Sequence, residues 1–216
     1  MHPFVDVHTH SIRPADGIVI RNMIIGVDEQ PSAPFSAGIH PRFISDEKAQ
    51  NDRLQNIIQQ QGICAIGECG LDTLSDTDQN TQRRIFEMQI ALASEKKLPL
   101  IIHSVRSTQP VIQILKKSLA PPAVIIHGFA SGFDQAQQFL ENDAYLSVGK
   151  GLMNKNPGAE EVVAKAPINR LFAETDDGDF LIGDVYARIA EIRKTSIEKI
   201  RKELYNNYRR IFEWQI

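Results

Sequence analysis

The sequence predicts a TIM-type (β/α)8 barrel, and three observations carry that prediction. Eight short apolar runs are separated by stretches of helical periodicity. Most of the runs are continuously apolar rather than alternating, the pattern of strands buried on both faces of a parallel sheet. Of the six histidines, five stand at the C-terminal ends of such runs. In a parallel barrel those ends open onto one face, where active sites lie.

The elements follow in order. The first run is FVDVH (4–8), followed by GIVIRNMIIG (17–26) and FSAGI (35–39). Seven residues separate His10 from Ile18, fewer than the dozen or so that a parallel crossover requires. Ile18 to Ile25 is therefore expected to form a hairpin or an irregular strand, with the barrel abbreviated or distorted between strands 1 and 3. A helix is predicted over 47–61, where Leu54, Ile57 and Ile58 share a face and Gly62 follows. After GICAIG (62–67), a second helix over 80–97 places Phe86, Ile90 and Ala93 together and Lys96 and Lys97 at its C-terminus. The strands LPLIIH (98–103) and PAVIIH (122–127) precede a helix at 134–142, and AYLSVG (144–149) precedes one at 157–166 that opens on Pro157. RLFAE (170–174) is the last strand. Residues 184–213 are mostly helical, divided by TSIE (195–198), which reads as a capping box.

A chain of 216 residues, 42% hydrophobic, can bury one substantial core, and a single domain over 1–216 is expected. The formal charge is −3, and no stretch concentrates lysine and arginine into the stripe of a nucleic-acid groove. A polyanionic substrate would need another source of positive charge. The two cysteines, Cys64 and Cys69, suit neither a disulfide framework nor a four-cysteine zinc site, and a reducing cytoplasm is expected. No run approaches the roughly 18 apolar residues of a membrane span, and no secretory leader pattern is visible.

The polar residues at the run ends carry the chemistry. Asp6, His8 and His10 share one face if the extended conformation persists. His40 follows Ile39, Glu68 lies just past Ile66, His103 follows Ile102, His127 follows Ile126, and Glu174 and Asp176 follow Ala173. Singly, each has a structural reading as a hydrogen-bonded histidine or a solvated carboxylate. Together, converging in one mouth, they would repel or go unpaired unless cations satisfied them.

The segments DVHTH (6–10), GIHP (38–41), AIGECGLD (65–72), LPLIIH (98–103), HGFASG (127–132) and ETD (174–176), in that order, resemble the TatD family of metal-dependent deoxyribonucleases within the amidohydrolase-like barrels. The resemblance implies two divalent ions, zinc, manganese, magnesium or iron. It places one on His8, His10, Glu68 and Asp176, and the other on His103, His127 and the shared Glu68. It leaves Asp6 as an outer partner orienting an imidazole. Asp176 and Glu68 become the catalytic carboxylates, Asp176 taking the proton of the attacking water and Glu68 remaining a ligand. His40 and Arg106 are candidate substrate contacts, with Arg42 and Lys150 behind them. Asn207, in the closing NNYRRIF, is expected to be structural.

The implied activity is a metal-dependent hydrolase cleaving DNA phosphodiesters, with DNA a substrate rather than a stable partner. Four departures from the family pattern bear on the substrate: the acidic ETDDGDFLIGD, HSVRS with Val105 in place of the usual arginine, HGFASG for HCFSG, and the short 11–37 region. Two alternatives stand beside it. One is a related barrel enzyme acting on small phosphoesters, amides or lactones, which often uses a bridging lysine not found beside Glu68. The other is an inactive nucleic-acid-binding or scaffold module, for which eroded ligands would be expected.

Overall fold

The computed structural model of the chain describes residues 2–11, 17–32 and 34–212. Strands β1 (Val5–Thr9), β2 (Ile18–Ile24), β3 (Phe35–Gly38), β4 (Ile63–Asp72), β5 (Leu100–Val105), β6 (Val124–Ile126), β7 (Tyr145–Val148) and β8 (Leu171–Ala173) form one sheet in chain order. The β2–β3, β3–β4, β4–β5 and β7–β8 pairs are parallel, and Thr9 bridges Asp176 in the parallel sense just beyond β8. This is the TIM-type (β/α)8 fold. The helices are α1 (Glu47–Ile57), α2 (Gln79–Lys96), α3 (Thr108–Lys117), α4 (Phe133–Leu140), α5 (Lys150–Met153), α6 (Pro157–Lys165), α7 (Ile182–Ile192) and α8 (Ile197–Phe212).

The abbreviation between strands 1 and 3 is real: among the described residues no helix precedes α1. The expected hairpin, however, is corrected. β2 is a regular strand whose residues Arg21 to Ile24 pair in parallel with Phe35 to Gly38, and the return is made by residues 25–34 without a helix. Ile25 N and Ile24 N close this connection on Gly38 O and the Asp28 carboxylate. Local capping thus does the work of a longer crossover.

One helix prediction is adjusted and one helix is added. The break in the last segment is present, but Ser196, not Thr195, caps α8, its hydroxyl accepting from Lys199 N at 3.2 Å. Helix α3 lies in a segment for which no helix was predicted. Pro110 is tolerated because it lies in the first turn, where backbone N–H groups have no helical acceptor, and Val111, Ile112 and Ile114 are buried.

The chain forms two compact units, Met1–Ile20 with Ile126–Ile216, and Arg21–Ile125. In the first, Val148, Leu152, Val163, Ala173, Tyr186, Ile189 and Leu204 make one apolar cluster. Tyr186 anchors α7 to β1, its hydroxyl donating to Val5 O at 3.0 Å and accepting from Val5 N at 2.9 Å. Asn207 of α8 donates to Ile168 O and Leu171 O at the entry to β8, the structural role expected of it. In the second unit, β4 carries a register irregularity between Ile66 and Cys69, a feature that re-aims side chains. Gly67 and Gly70 both have φ +135°, and a Cβ on either would stand 2.3 Å from Ile101 O or 2.2 Å from His103 O. Only glycine fits there, and Glu68 lies between them.

Candidate metal centre

In the first unit, β1 supplies His8 and the residue just past it is His10, the end of β6 supplies His127, and the segment after β8 supplies Asp176. The Nε2 atoms of His8 and His10 lie 3.7 and 3.6 Å from the same oxygen, Asp176 Oδ1. These separations exceed hydrogen-bond length. They are close to the roughly 3.4 Å that separates neighbouring ligands around a cation with bonds of about 2.1 Å at tetrahedral angles. One nitrogen or oxygen from each of His8, His127 and Asp176 also falls within 4.8 Å of the others, and the His8 and His127 rings are 4.3 Å apart between centroids. The donor set, imidazole nitrogen and carboxylate oxygen, fits a borderline divalent ion.

Glu174 is fully buried beside this group. Its Oε1 accepts from Gly128 N at 2.7 Å and lies 3.5 Å from His127 Nδ1. Burial alone would raise its pKa, yet the hydrogen bond and charge of His127, with His8 behind, hold the carboxyl below the usual range. Asp6 behaves differently: burial pushes it up to about 7, against the opposing hydrogen bonds of Thr175. Its carboxylate accepts from Thr175 N at 3.0 Å and Thr175 Oγ1 at 2.6 Å. Both Asp6 oxygens thus meet Thr175, in the segment that carries Asp176.

In the second unit, Glu68 Oε1 receives His40 Nε2 at 3.0 Å and His103 Nδ1 at 2.7 Å, and one ligand atom from each of the three falls within 4.8 Å of the others. The other nitrogen of His103, Nε2, meets the fully buried Asp72 at 2.9 Å. Burial raises Asp72, but hydrogen bonds from His103 and Arg42 outweigh it and hold the carboxyl low. The same carboxylate takes the Arg42 guanidinium and the Leu74 N–H. A carboxylate on Nε2 leaves Nδ1 as the nitrogen presented to a cation.

His40 is 4% exposed, and both its ring nitrogens are engaged, Nδ1 accepting from Arg42 N at 3.1 Å. His40, a candidate substrate contact, thus meets Glu68 through Nε2. Arg106, by contrast, is exposed just past β5, in the left-handed region at φ +51°. Arg42 is tied to Asp72, and Lys150 is paired with Asp177 at 2.9 Å.

The second-unit cluster is held from behind by two glutamines of α2. Gln89 accepts from Ile39 N at 2.8 Å and donates to Ile39 O at 3.0 Å, while Gln82 does the same for Asp72 N at 2.8 Å and Asp72 O at 3.0 Å. Asn22 of β2 accepts from Glu68 N at 2.8 Å and Ser36 Oγ at 3.0 Å. Of these, sequence reasoning had noted Glu174 without giving it a role and missed Asp72, Asn22, Gln82 and Gln89. The available signal was polar residues placed where apolar periodicity would put core.

Residues 22–213 match the family described as TatD related DNase. The chain belongs to this family. The chain is similar to the uncharacterized metal-dependent hydrolase YabD of Bacillus subtilis (strain 168), 31% identical over 175 residues, 74% of this chain and 69% of that protein. The 3'-5' ssDNA/RNA exonuclease TatD of Enterobacter lignolyticus (strain SCF1) is 27% identical over 199 residues, 82% of this chain and 76% of that protein. The crystal structure of YjjV, a TatD homolog from Escherichia coli K12, shares the fold with a TM-score of 0.81 at 24% identity, over 97% of this chain and 98% of that one. The protein is a metal-dependent hydrolase of the TatD family.

A cavity of about 560 Å3 in the first unit is lined by Phe4, Asp6, Thr9, Thr175, Phe180 and Leu181 among others, and among the described residues no lysine or arginine lines it. Among the described residues no helix is long and apolar enough to cross a membrane.

Proposed function

We propose that this TatD-family hydrolase is a deoxyribonuclease that cleaves DNA phosphodiesters at two divalent ions held by His8, His10, Glu68, His103, His127 and Asp176. The observation that carries the reading is the convergence of the His8 and His10 imidazoles on one oxygen of Asp176, 3.7 and 3.6 Å away. The names of relatives that act on single-stranded DNA and RNA support the substrate class. Bound divalent ions would supply Lewis acidity, lowering the pKa of a water toward about 7 and neutralising non-bridging phosphate oxygens.

The chain's own residues do the rest. Asp176, partly exposed at the rim, accepts the proton of the attacking water at its carboxylate and returns it to the leaving oxygen. Glu68 stays a ligand, held by His40 and by Asn22 through its backbone. Asp72 and Glu174 fix which nitrogens of His103 and His127 face a cation. Arg106 is the substrate contact, an exposed guanidinium suited to a phosphate oxygen. The free thiols of Cys64 and Cys69 suit a cytoplasmic setting.

A second reading is favoured by one observation. Lys150 is neutralised by Asp177, and the acidic 176–184 segment borders a cavity without a described cation; a small uncharged ester or lactone would meet less repulsion there than DNA. A panel of single-stranded and duplex DNA, RNA, a generic phosphodiester and a lactone, after reconstitution with each metal, separates the two. Turnover of DNA supports the nuclease, and turnover of the lactone alone transfers the assignment to the second reading.

A further inference from the structure

Asp176 holds an unusual backbone conformation. Its φ is +53°, a region that residues with a Cβ avoid, so its neighbours must enforce it. Its own peptide is fixed on both sides by β1: Asp176 N donates to His8 O and His10 N donates to Asp176 O, each at 3.0 Å. The Thr9 hydroxyl adds a third bond, donating to Asp176 O at 3.1 Å. Thr9 alternates along the strand with His8 and His10, so the strand that presents the imidazoles also grips the backbone of the carboxylate facing them.

That grip does not reach the Glu174–Thr175 peptide one residue earlier. Thr175 supplies the restraint, chelated by Asp6 through its N–H at 3.0 Å and its hydroxyl at 2.6 Å, while its Oγ1 lies 2.8 Å from Thr9 Oγ1. All three residues are buried, at 3% exposure for Asp6, 2% for Thr9 and 8% for Thr175. A carboxylate taking two donors from one residue fixes both the position and the rotation of its peptide.

We infer that Asp6, Thr175 and Thr9 form a clamp that sets the Asp176 carboxylate against His8 and His10, with Asp6 a positioning residue that acts through Thr175. The inference rests on the proposed role of Asp176 as ligand and proton acceptor. It assigns the buried aspartate of the DVHTH segment to the carboxylate across the site rather than to an imidazole.

The test reads metal binding apart from catalysis. In a His103→Ala background, which empties the other ion position, Mn2+ affinity is measured by titration calorimetry for Thr175→Val and Thr175→Ser. Valine keeps the shape and the N–H but removes the hydroxyl; serine restores it. The clamp predicts that valine weakens Mn2+ binding by about tenfold or more and that serine recovers most of it. In the otherwise native enzyme, valine should lower kcat on a generic phosphodiester with KM nearly unchanged. Should Thr175→Val fail to fold, Asp6→Asn is the second variant, with the same expected loss. Unchanged Mn2+ affinity in folded Thr175→Val or Asp6→Asn overturns the clamp. If the native enzyme binds Mn2+ but hydrolyses no phosphodiester, the nuclease reading fails while the Mn2+ comparison still decides the clamp.

Discussion

A histidine offers a cation only the ring nitrogen that its other partner leaves available, so the buried carboxylates behind His103 and His127 matter as much as the imidazoles. Asp72 meets His103 Nε2 at 2.9 Å, and Glu174 lies 3.5 Å from His127 Nδ1. Asp72→Asn should therefore weaken ion binding by about 10 to 100-fold without removing a ligand, read by titration calorimetry of the chelated protein. The cysteines give a second residue-scale prediction. Burial pushes the Cys64 thiol up to about 12 and Cys69 well above its ordinary value, so neither forms appreciable thiolate near pH 8. Iodoacetamide should label them slowly in the folded protein, rapidly only on unfolding, and without effect on activity. The proposed ligands could be picked out because each follows an apolar run whose direction the fold fixes. Asp72 was not, because GLDTLSD has the composition of a turn, and only the pairing of β4 with β5 brings its carboxylate to His103.

At the scale of elements, α2 and α7 hold the strand ends by side-chain bonds to backbone. Gln89 satisfies both polar groups of Ile39, one residue before His40, and Gln82 both of Asp72. Replacing Gln89 by leucine strands a buried N–H and C=O, each costing about 1–3 kcal/mol; the urea midpoint should fall accordingly. Tyr186→Phe should cost about as much by releasing Val5 N and O, and it should loosen β1, seen as faster hydrogen exchange at Val5. Such glutamines were invisible to a periodicity argument that counts only apolar positions. The strand order was accessible, since buried runs separated by helices dictate parallel pairing. Ile18 to Ile25 was misread as a hairpin or an irregular strand because the seven residues after His10 fall short of the crossover rule, whereas β2 pairs in parallel with β3.

Across the whole molecule the formal charge is −3, and the candidate ligands add buried and half-buried carboxylates without basic partners sufficient for a polyanion. Divalent ions relieve that repulsion, so they should stabilise the fold as well as supply chemistry. Saturating a chelated sample to about 100 times the dissociation constant should add about 2.7 kcal/mol per site, observed as a metal-dependent rise in Tm. The family and the barrel were readable from six ordered motifs, whereas the substrate was not, because the departures from the family pattern fall beside the proposed ligands and not on them. The most direct measurement is release of nucleotides from single-stranded DNA by the metal-reconstituted enzyme, compared with Asp176→Asn at equal metal occupancy. The proposed mechanism predicts metal-dependent hydrolysis that falls by about a thousandfold in the variant. Cleavage at the native rate by Asp176→Asn, or no metal-dependent cleavage by the native enzyme, would contradict it.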